Sequence, residues 1–532
     1  MISAIKIRNY KAFEDAQIDI KPINIFLGAN SVGKTSILQL FLLLKQTASF
    51  SLINNNSPLK MYGAFANMGS VENLFHNQDT KTPIEIGVRF KDNEIKRYCA
   101  NLLDEFLLSL RSIVLFVPIK GLLDYRSIDF NRLKERSGFV TFVKDVFSIL
   151  GKNAIEKYRT SIGFAISRNS NIAIPDIDKA DENIFIYVYD LLTFLNSNIS
   201  NNSTFEINYR FILLRKKLCI DRVSVAINEK ELLTISREEN SSITSDIAKL
   251  TDNDKSCIYK HFLPNKSIFE CVMSHTGDKE GATSTTMSNT MLSIVEFIIK
   301  ALRDEFAINK INHVGPLRSS PKRYYLLDND RYTQSLDTLD GEALIEILKD
   351  KPKIAEKVNM WLNGFGFNID VKQDEDVIHH LMVEQDNLKL DIMDVGFGIS
   401  QILPIILQCN LAVRESITLI EQPEIHLHPK MQASFSDLLK DVVNSTGKDR
   451  AFIIETHSEY LLRRLRRRIA EKEDVDNNDV AIYMFKGKNK EKNYATIERL
   501  DISDTGAFEW PEDFYGKELL DDTLIFLKKQ KQ

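Results

Sequence analysis

Apolar and polar positions fall into two rhythms that change along the chain. Residues Met1-Ile2-Ser3-Ala4-Ile5-Lys6-Ile7-Arg8-Asn9-Tyr10 alternate as a half-buried strand does. Ile23-Asn24-Ile25-Phe26-Leu27 is a compact apolar run suited to a fully buried strand, and Ser36 to Lys45 is a helix-length run. From Lys60 to Lys96, short alternating runs such as Ile84-Glu85-Ile86-Gly87-Val88-Arg89-Phe90 predict antiparallel strands. From Arg97 to Leu195 the pattern turns largely helical, with Leu102, Leu103, Phe106, Leu107 and Leu110 on one face. A polar loop, Asn196 to Thr204, then leads into strands of a meander at Phe205–Phe211 and Val223–Ile227. Ser274 to Asn289, rich in Ser, Thr and Gly, carries too little apolar surface to pack and is expected to be mobile. From Ile308 onward, strand-like and helical segments alternate again. The pattern predicts an α/β domain split in sequence: 1–96 and 308–532 as its halves, with 97–307 as a helical and β-meander insertion.

Composition narrows the class only a little. A chain of 532 residues implies more than one structural unit, and 43% hydrophobic residues suffice for a sizeable core. The formal charge of −5 does not announce a nucleic-acid binder, so any such role rests on local patches. Cys99, Cys219, Cys257, Cys271 and Cys409 are scattered and contain no CxxC pair, which points to reduced, buried thiols. The N-terminus is no signal peptide, and the most apolar internal window, Phe106 to Leu123, is interrupted by Arg111, Pro118 and Lys120. The expectation is a cytoplasmic protein with no membrane partner.

The chemistry starts at Gly28-Ala29-Asn30-Ser31-Val32-Gly33-Lys34-Thr35, a complete GxxxxGK[ST] loop between a buried strand and a helix. In that setting the backbone around Gly28, Asn30, Ser31, Gly33 and Ser36 is expected to cradle phosphate oxygens at a helix N-terminus. Lys34 then reaches the β- and γ-phosphates of ATP, and the Thr35 hydroxyl holds Mg²⁺. The bland alternative, a chance glycine loop, lacks a reason for the flanking strand and helix. Ser416-Ile417-Thr418-Leu419-Ile420-Glu421 is an apolar strand ending in a carboxylate, the Walker B pattern. It is expected beside the P-loop strand, with Glu421 in the Mg²⁺ shell. Downstream lie Gln422-Pro423-Glu424-Ile425-His426-Leu427-His428-Pro429 and Ala451-Phe452-Ile453-Ile454-Glu455-Thr456-His457-Ser458. Upstream, Asp394-Val395-Gly396-Phe397-Gly398-Ile399-Ser400-Gln401 is a glycine turn before an apolar helix, Ile402 to Leu411, with Pro404 in its first turn. His426 and His428 lack a third ligand nearby, so a loop role is preferred to a metal pair.

In this order, the P-loop, the glycine turn, E-x-P-E-x-H-L-H-P and E-T-H-S resemble the ABC-type heads of the overcoming-lysogenization-defect (OLD)-like ATPases. His313-Val314-Gly315-Pro316-Leu317-Arg318 and the closing Gly506 to Phe514 match further motifs of that group, the latter one residue short between Gly506 and Trp510. Within the group the chain resembles the PtuA-type ATPases of Septu and retron antiphage systems. The resemblance covers about residues 1–90 and 308–516, and nothing in the middle. It implies a P-loop NTPase ABC-type head with a mixed sheet, and a homodimer or higher oligomer with shared ATP sites. In that arrangement Gly396, Gly398 and Ser400 of one copy face the γ-phosphate held by the other, although LSGGQ is absent and Gly396 stands where serine is usual. It also implies His457 as a switch histidine on the γ-phosphate. A partner HNH nuclease of the PtuB type is implied too, and in retron systems a reverse transcriptase with its branched RNA–DNA product, msDNA.

Where ABC-type heads carry a second acid after Walker B, this chain has Gln422, which orients water but cannot take its proton. Slow hydrolysis follows, with Glu424 as a substitute base or a Mg²⁺-water or backbone partner. No nuclease constellation is apparent, and the acids Glu471, Glu473, Asp474, Asp476 and Asp479 read as a solvated run. The densest basic run, Arg463-Arg464-Leu465-Arg466-Arg467-Arg468, puts Arg463, Arg466 and Arg467 on one helix face, either gripping phosphates or, the preferred reading, lying on a solvated helix that pairs with the acids just downstream. Lys486, Lys488, Lys490 and Lys492 add a second basic stretch or a hairpin tip. Competing classes are a RecF- or SMC-like DNA-repair ATPase and a transporter motor. Missing heptads weigh against SMC, missing LSGGQ against the transporter, and a missing NKxD against a GTPase.

Overall fold

A computed structural model describes residues 1–49, 57–116, 130–148, 182–237, 242–274, 286–318, 320–327, 341–374, 377–472, 475–488 and 492–509. The chain divides into two compact units, one made of Ser3–Phe50, Lys60–Asp79 and Glu305–Gln532, the other of Met1–Ile2, Ser51–Leu59 and Thr80–Asp304.

The first unit is built on strands β1 (Ile2–Tyr10), β2 (Phe13–Asp19), β3 (Ile23–Gly28), β4 (Ile311–Val314), β5 (Ser416–Glu421), β6 (Arg450–Glu455), β7 (Val480–Lys486) and β8 (Thr496–Leu500). β1 and β2 form an antiparallel hairpin. The central sheet runs β8-β7-β3-β6-β5-β4, parallel throughout except that β8 is antiparallel to β7. Strands buried on both faces read as continuous apolar runs, which is why Ile23–Leu27 and Ile417–Ile420 lack alternation. Helices α1 (Lys34–Ser49), α2 (Phe397–Leu411), α3 (Pro429–Ser445) and α4 (Glu459–Glu471) serve this sheet. One core cluster joins Ile25 and Leu27 of β3, Ile454 of β6, Ile402 and Ile406 of α2, Leu439 of α3 and Leu465 of α4. α4 starts where the Ser458 hydroxyl accepts from the Leu461 N–H, and ends with Lys472 in the left-handed region. A smaller antiparallel sheet pairs Ile378–Gln385 with Tyr325–Leu326, Phe367–Gln373 and Leu388–Asp391, and leads the chain into the glycine turn.

Three sequence expectations need correction in this unit. The strand β5 is not beside β3: β6 lies between them, so the acid next to the P-loop strand is Glu455 rather than Glu421. Helix α2 begins at Phe397, not Ile402, so Pro404 sits in its interior instead of its first turn. Residues 60–79 form turns and short 3₁₀ segments around α1 rather than strands: Gln46 of α1 bonds Lys60, Phe65 and Ala66 there.

In the second unit the meander is longer than its alternation suggested. Ile84–Phe90, Phe205–Leu214, Lys217–Ile227, Lys230–Ser236 and Ile243–Thr244 pair successively, all antiparallel. Helix Asn93–Phe116 buries Leu102, Leu103, Phe106, Leu107 and Leu110, as their spacing predicts. Tyr98 stacks on Phe297 of helix Thr286–Glu305 at 3.9 Å. That helix takes in Thr286 to Asn289, all buried, which corrects the mobile reading there; 275–285 lie outside the described residues. Among the described residues no helix is long and apolar enough to cross a membrane.

Candidate functional site

β3 ends at Gly28, whose φ of +139° is open only to glycine, and a Cβ there would stand 2.4 Å from the Phe485 carbonyl oxygen of β7. The loop then turns with Ser31 at φ +64° and Gly33 at φ +104°, where a Cβ would meet the Phe13 ring at 2.6 Å. Successive turns of this kind aim backbone N–H groups into a concavity suited to anions. Ala29, Asn30 and Ser31 are exposed at its mouth, and Ser36 closes the loop by donating its N–H to Gly33 O at 3.0 Å. Lys34 is buried. Its Nζ donates to the carbonyl oxygens of Gly28 at 2.8 Å and Ala29 at 2.7 Å, and stands 3.7 Å from Glu455 Oε1. Burial lowers the Lys34 pKa, opposed chiefly by Glu455. The Thr35 hydroxyl donates to Glu455 Oε2 at 3.1 Å.

Glu421 and Glu455 are register partners across β5 and β6, so the two carboxylates end adjacent strands. Burial raises the Glu455 pKa, Lys34 opposes this, and Glu421 adds to it. Glu421 Oε1 lies 2.7 Å from His313 Nε2. Arg318 Nη2 donates to the carbonyl oxygens of Glu421 at 2.9 Å and Gln422 at 3.2 Å. Gln422 adopts φ +44°, and its N–H donates to Glu455 O at 2.7 Å. The left-handed residue is thus held from both sides. Burial pushes the Arg318 pKa down to about 10, and its Nε and Nη1 have no hydrogen-bond partner among the described residues. Glu424 accepts from Thr456 Oγ1 and from the His457 N–H, both at 2.7 Å. Desolvation and then the charge of Lys34 lower the His457 pKa against the pull of Glu424, so the ring is neutral at neutral pH.

These contacts make His313 and Arg318 the anchors of the Walker B turn. Arg318→Ala is expected to leave two carbonyls of a left-handed turn without their donor, lowering kcat by roughly 10–100-fold with little change in KM. Arg318→Lys should restore part of it, and steady-state kinetics distinguish this from a general loss of fold.

The glycine turn is placed unevenly. Gly396 caps α2 with ordinary angles (φ −54°, ψ 146°), is exposed, and a Cβ there would meet nothing within 4 Å among the described residues. Gly398 packs closely, since a Cβ would stand 3.2 Å from His426 O. Ser400 is buried, its hydroxyl donating to Phe397 O at 2.8 Å within its own helix. The residue most open to a neighbour is Phe397, 63% exposed, its ring 6.3 Å from that of His426. His428 Nδ1 accepts from the Lys430 N–H at 3.3 Å and caps α3.

The family model described as AAA ATPase domain matches residues 1–462. The chain belongs to the AAA ATPase domain family. This AAA ATPase is 24% identical over 372 residues to the DNA replication and repair protein RecF of Streptococcus thermophilus, covering 64% of this chain and 90% of that protein. The RecF of Lactococcus lactis subsp. lactis is 28% identical over 174 residues, 27% of this chain and 47% of the relative. Among solved structures, the SMC head domain from Thermotoga maritima aligns over 94% of this chain and 99% of its own, with 8% identity and a TM-score of 0.35.

The ATPase's oxygen donors suit a magnesium ion: the Thr35 hydroxyl and the Glu421 and Glu455 carboxylates are hard ligands gathered at two strand ends and a helix start. Glu455 is the residue that sequence reasoning missed. Its signal was present, because Ala451–Glu455 ends in a carboxylate just as Ile417–Glu421 does.

The basic run on α4 is committed to its own surroundings. Asp437 accepts from Arg464 at 2.8 Å and from Arg468 at 2.6 Å. Arg467 and Arg468 pair with Glu471, Arg463 with Glu459, and Arg466 donates to Gly506 O at 2.7 Å beneath the Phe508 ring. Pairing therefore holds with Glu471 of the acids just downstream, but Asp437 and Glu459, which precede the run, also serve as its partners. Asp479 departs from the solvated reading: it is buried and takes Lys448 Nζ at 2.6 Å. Lys488 Nζ reaches Asn77 Oδ1 at 2.5 Å, and Lys486 pairs with Glu498. Glu473, Asp474, Lys490 and Trp510 to Phe514 lie outside the described residues.

Burial raises the Asp437 carboxyl, but Arg468 and Arg464 outweigh it and hold the pKa below its ordinary value. A depressed folded pKa adds stability that is present above the unfolded value and lost as pH falls through the folded one. Asp437→Asn is therefore expected to lower stability near neutral pH by about 1–2 kcal/mol, with the difference from the parent shrinking below roughly pH 4. Urea melts at several pH values check this.

Proposed function

We propose that this ATPase is the ATP-binding, dimerising sensor or regulatory subunit of an antiphage complex, and that it controls a partner HNH nuclease. The resemblance of its motifs to OLD-like and PtuA-type heads supports the setting. The observation that carries the switch is at Gln422: an amide occupies the position of the second acid, and its peptide is pinned between Glu455 O and Arg318. An amide aligns the attacking water without accepting its proton, so binding outlasts turnover. In this reading Lys34 leaves the Gly28 and Ala29 carbonyls for the β- and γ-phosphates, and neutral His457 meets the γ-phosphate. Thr35 and Glu421 would hold Mg²⁺, which would supply neutralising positive charge to the phosphates. Gly396, exposed at the start of α2, offers its turn to the nucleotide of a second copy, with Phe397 packing beside it. The halves read from sequence, 1–96 and 308–532, serve as the head in this proposal, less residues 80–96, which belong with the meander of the second unit.

The test is turnover of the purified chain together with co-purification of an HNH nuclease expressed alongside it. Slow turnover, ATP-dependent dimerisation and loss of phage protection with Lys34→Ala are expected. Rapid turnover by a lone subunit refutes the proposal. The RecF relatives favour a second reading, a DNA-repair ATPase. ATP-dependent binding to DNA, with no effect of the nuclease, would favour it.

A further inference from the structure

Apart from the P-loop and its acids, a cavity of about 420 Å³ opens between α3 and helix Pro352–Asn363. Small-ligand sites span roughly 300–1,000 Å³, so the space is enough for one compact molecule. Its apolar wall is Met360, Trp361 and Phe365, with Leu438 and Val442 of α3 beneath. Leu438 and Val442 are buried in the core cluster, which fixes the floor. Met360 is 70% exposed and Trp361 half-buried, which leaves the wall open. The Trp361 and Phe365 rings stand 4.7 Å apart, tilted by 48°.

The charges around this wall do not cancel. Lys357, Lys430, Asp437 and Asp441 all line the cavity. Each acid answers to a cation that does not: Asp437 accepts from Arg464 at 2.8 Å and Arg468 at 2.6 Å, and Asp441 lies 3.7 Å from Lys440 Nζ. Neither Lys357 nor Lys430 has a carboxylate partner among the described residues. Lys430 Nζ instead stands 5.5 Å from the centroid of the Phe365 ring. On its helix, Lys357 precedes Trp361 by one turn and Phe365 follows it by one turn, so an ammonium flanks the indole on either side. An anion attached to a flat ring satisfies both the aromatic wall and the surplus positive charge. A partner helix suits the cavity less, because Leu438 and Val442 are the only apolar side chains that α3 contributes to it. They are too few for a docked helix that needs anchors over several turns.

We propose that this cavity is a second ligand site, for a heteroaromatic anion of nucleoside-monophosphate size, with its ring against Trp361 and its phosphate held by the flanking lysines. Ser434 and Asn410 are left for the polar edge of the ring. The inference goes beyond the ATP-site reading and uses none of its residues.

Trp361 and Trp510 are the two tryptophans of the chain, so Trp510→Phe leaves Trp361 as the reporter. The experiment follows its fluorescence in the full chain while AMP, GMP, CMP and UMP are titrated to about 1 mM. Saturable quenching by at least one of them is expected. Lys357→Glu with Lys430→Glu should weaken that binding at least about tenfold, and the matching nucleoside should bind weakly by a similar factor. Lys357→Gln with Lys430→Gln is the milder pair, and circular dichroism checks that each is folded. ATP turnover should be unchanged in both pairs, which separates this cavity from the P-loop. No saturable quenching by any of the four overturns the inference. So does binding that both lysine pairs leave unaltered, or a nucleoside that binds as well as its phosphate. Failure of the ATP-site reading would leave the result intact, because the probes lack β- and γ-phosphates.

Discussion

Lys34→Ala is expected to weaken ATP binding by roughly 10–150-fold, the loss of one or more hydrogen bonds from a charged donor to phosphate. Lys34 opens α1, where its stem is buried and its ammonium already lies at the floor of the loop. It is desolvated, and the carbonyls of Gly28 and Ala29 hold it in reach of the site. Little side-chain ordering remains to oppose phosphate binding, so its contribution to affinity is realised nearly in full. Removing it also leaves Glu455 with the Thr35 hydroxyl but without its cation, which adds repulsion against the incoming phosphates. Calorimetric titration with Mg²⁺·ATP measures the loss, and an affinity within about threefold of the parent would contradict the role. A thermal melt should show a folded protein, because the ammonium bonds only to carbonyls of its own loop and to the neighbouring Glu455.

Gly28→Ala carries the second large effect, and there the damage falls on folding itself. Gly28 and Phe485 are register partners on β3 and β7, and the added methyl would press on the Phe485 carbonyl at 2.4 Å. Neighbouring strands of a parallel sheet cannot separate at one point without losing ladder bonds. The φ of +139° adds backbone strain, giving a combined cost of about 3–5 kcal/mol. Phe485 in turn packs on Phe26 at 4.9 Å and edge-on to Phe13 at 6.0 Å, so a shift there spreads through the floor of the loop. Gly396→Ala is the matching control: ordinary angles and nothing within 4 Å predict a stability change under about 0.5 kcal/mol. Denaturant melts of the two variants side by side test the contrast, and equal midpoints would refute it.

Much of the site was legible because its chemistry is local. A GxxxxGK[ST] loop is a backbone shape as well as a set of residues, and its glycines are dictated by φ values and close approaches that neighbouring sequence fixes. The strand end at Glu421 was read for the same reason, as an apolar run closed by an acid, and Glu455 carried the same signal unread. What sequence could not rank was which acid serves the loop. That depends on strand order, and β6 lies between β3 and β5. The arginines of α4 show the same limit. Their spacing left phosphate binding and ion pairing open, and Asp437, from a different helix, decided between them.

By itself, then, the sequence determined a split α/β head, a phosphate-binding loop, and the amide at Gln422 that argues for slow hydrolysis. Tertiary structure alone decided that Glu455 meets Lys34 and Thr35, that His313 and Arg318 anchor the Walker B turn, and that Ser400 faces inward. The physical reason is range. Backbone conformation and burial are set by near neighbours, whereas the pairing of charges depends on which distant strands and helices the fold lays side by side.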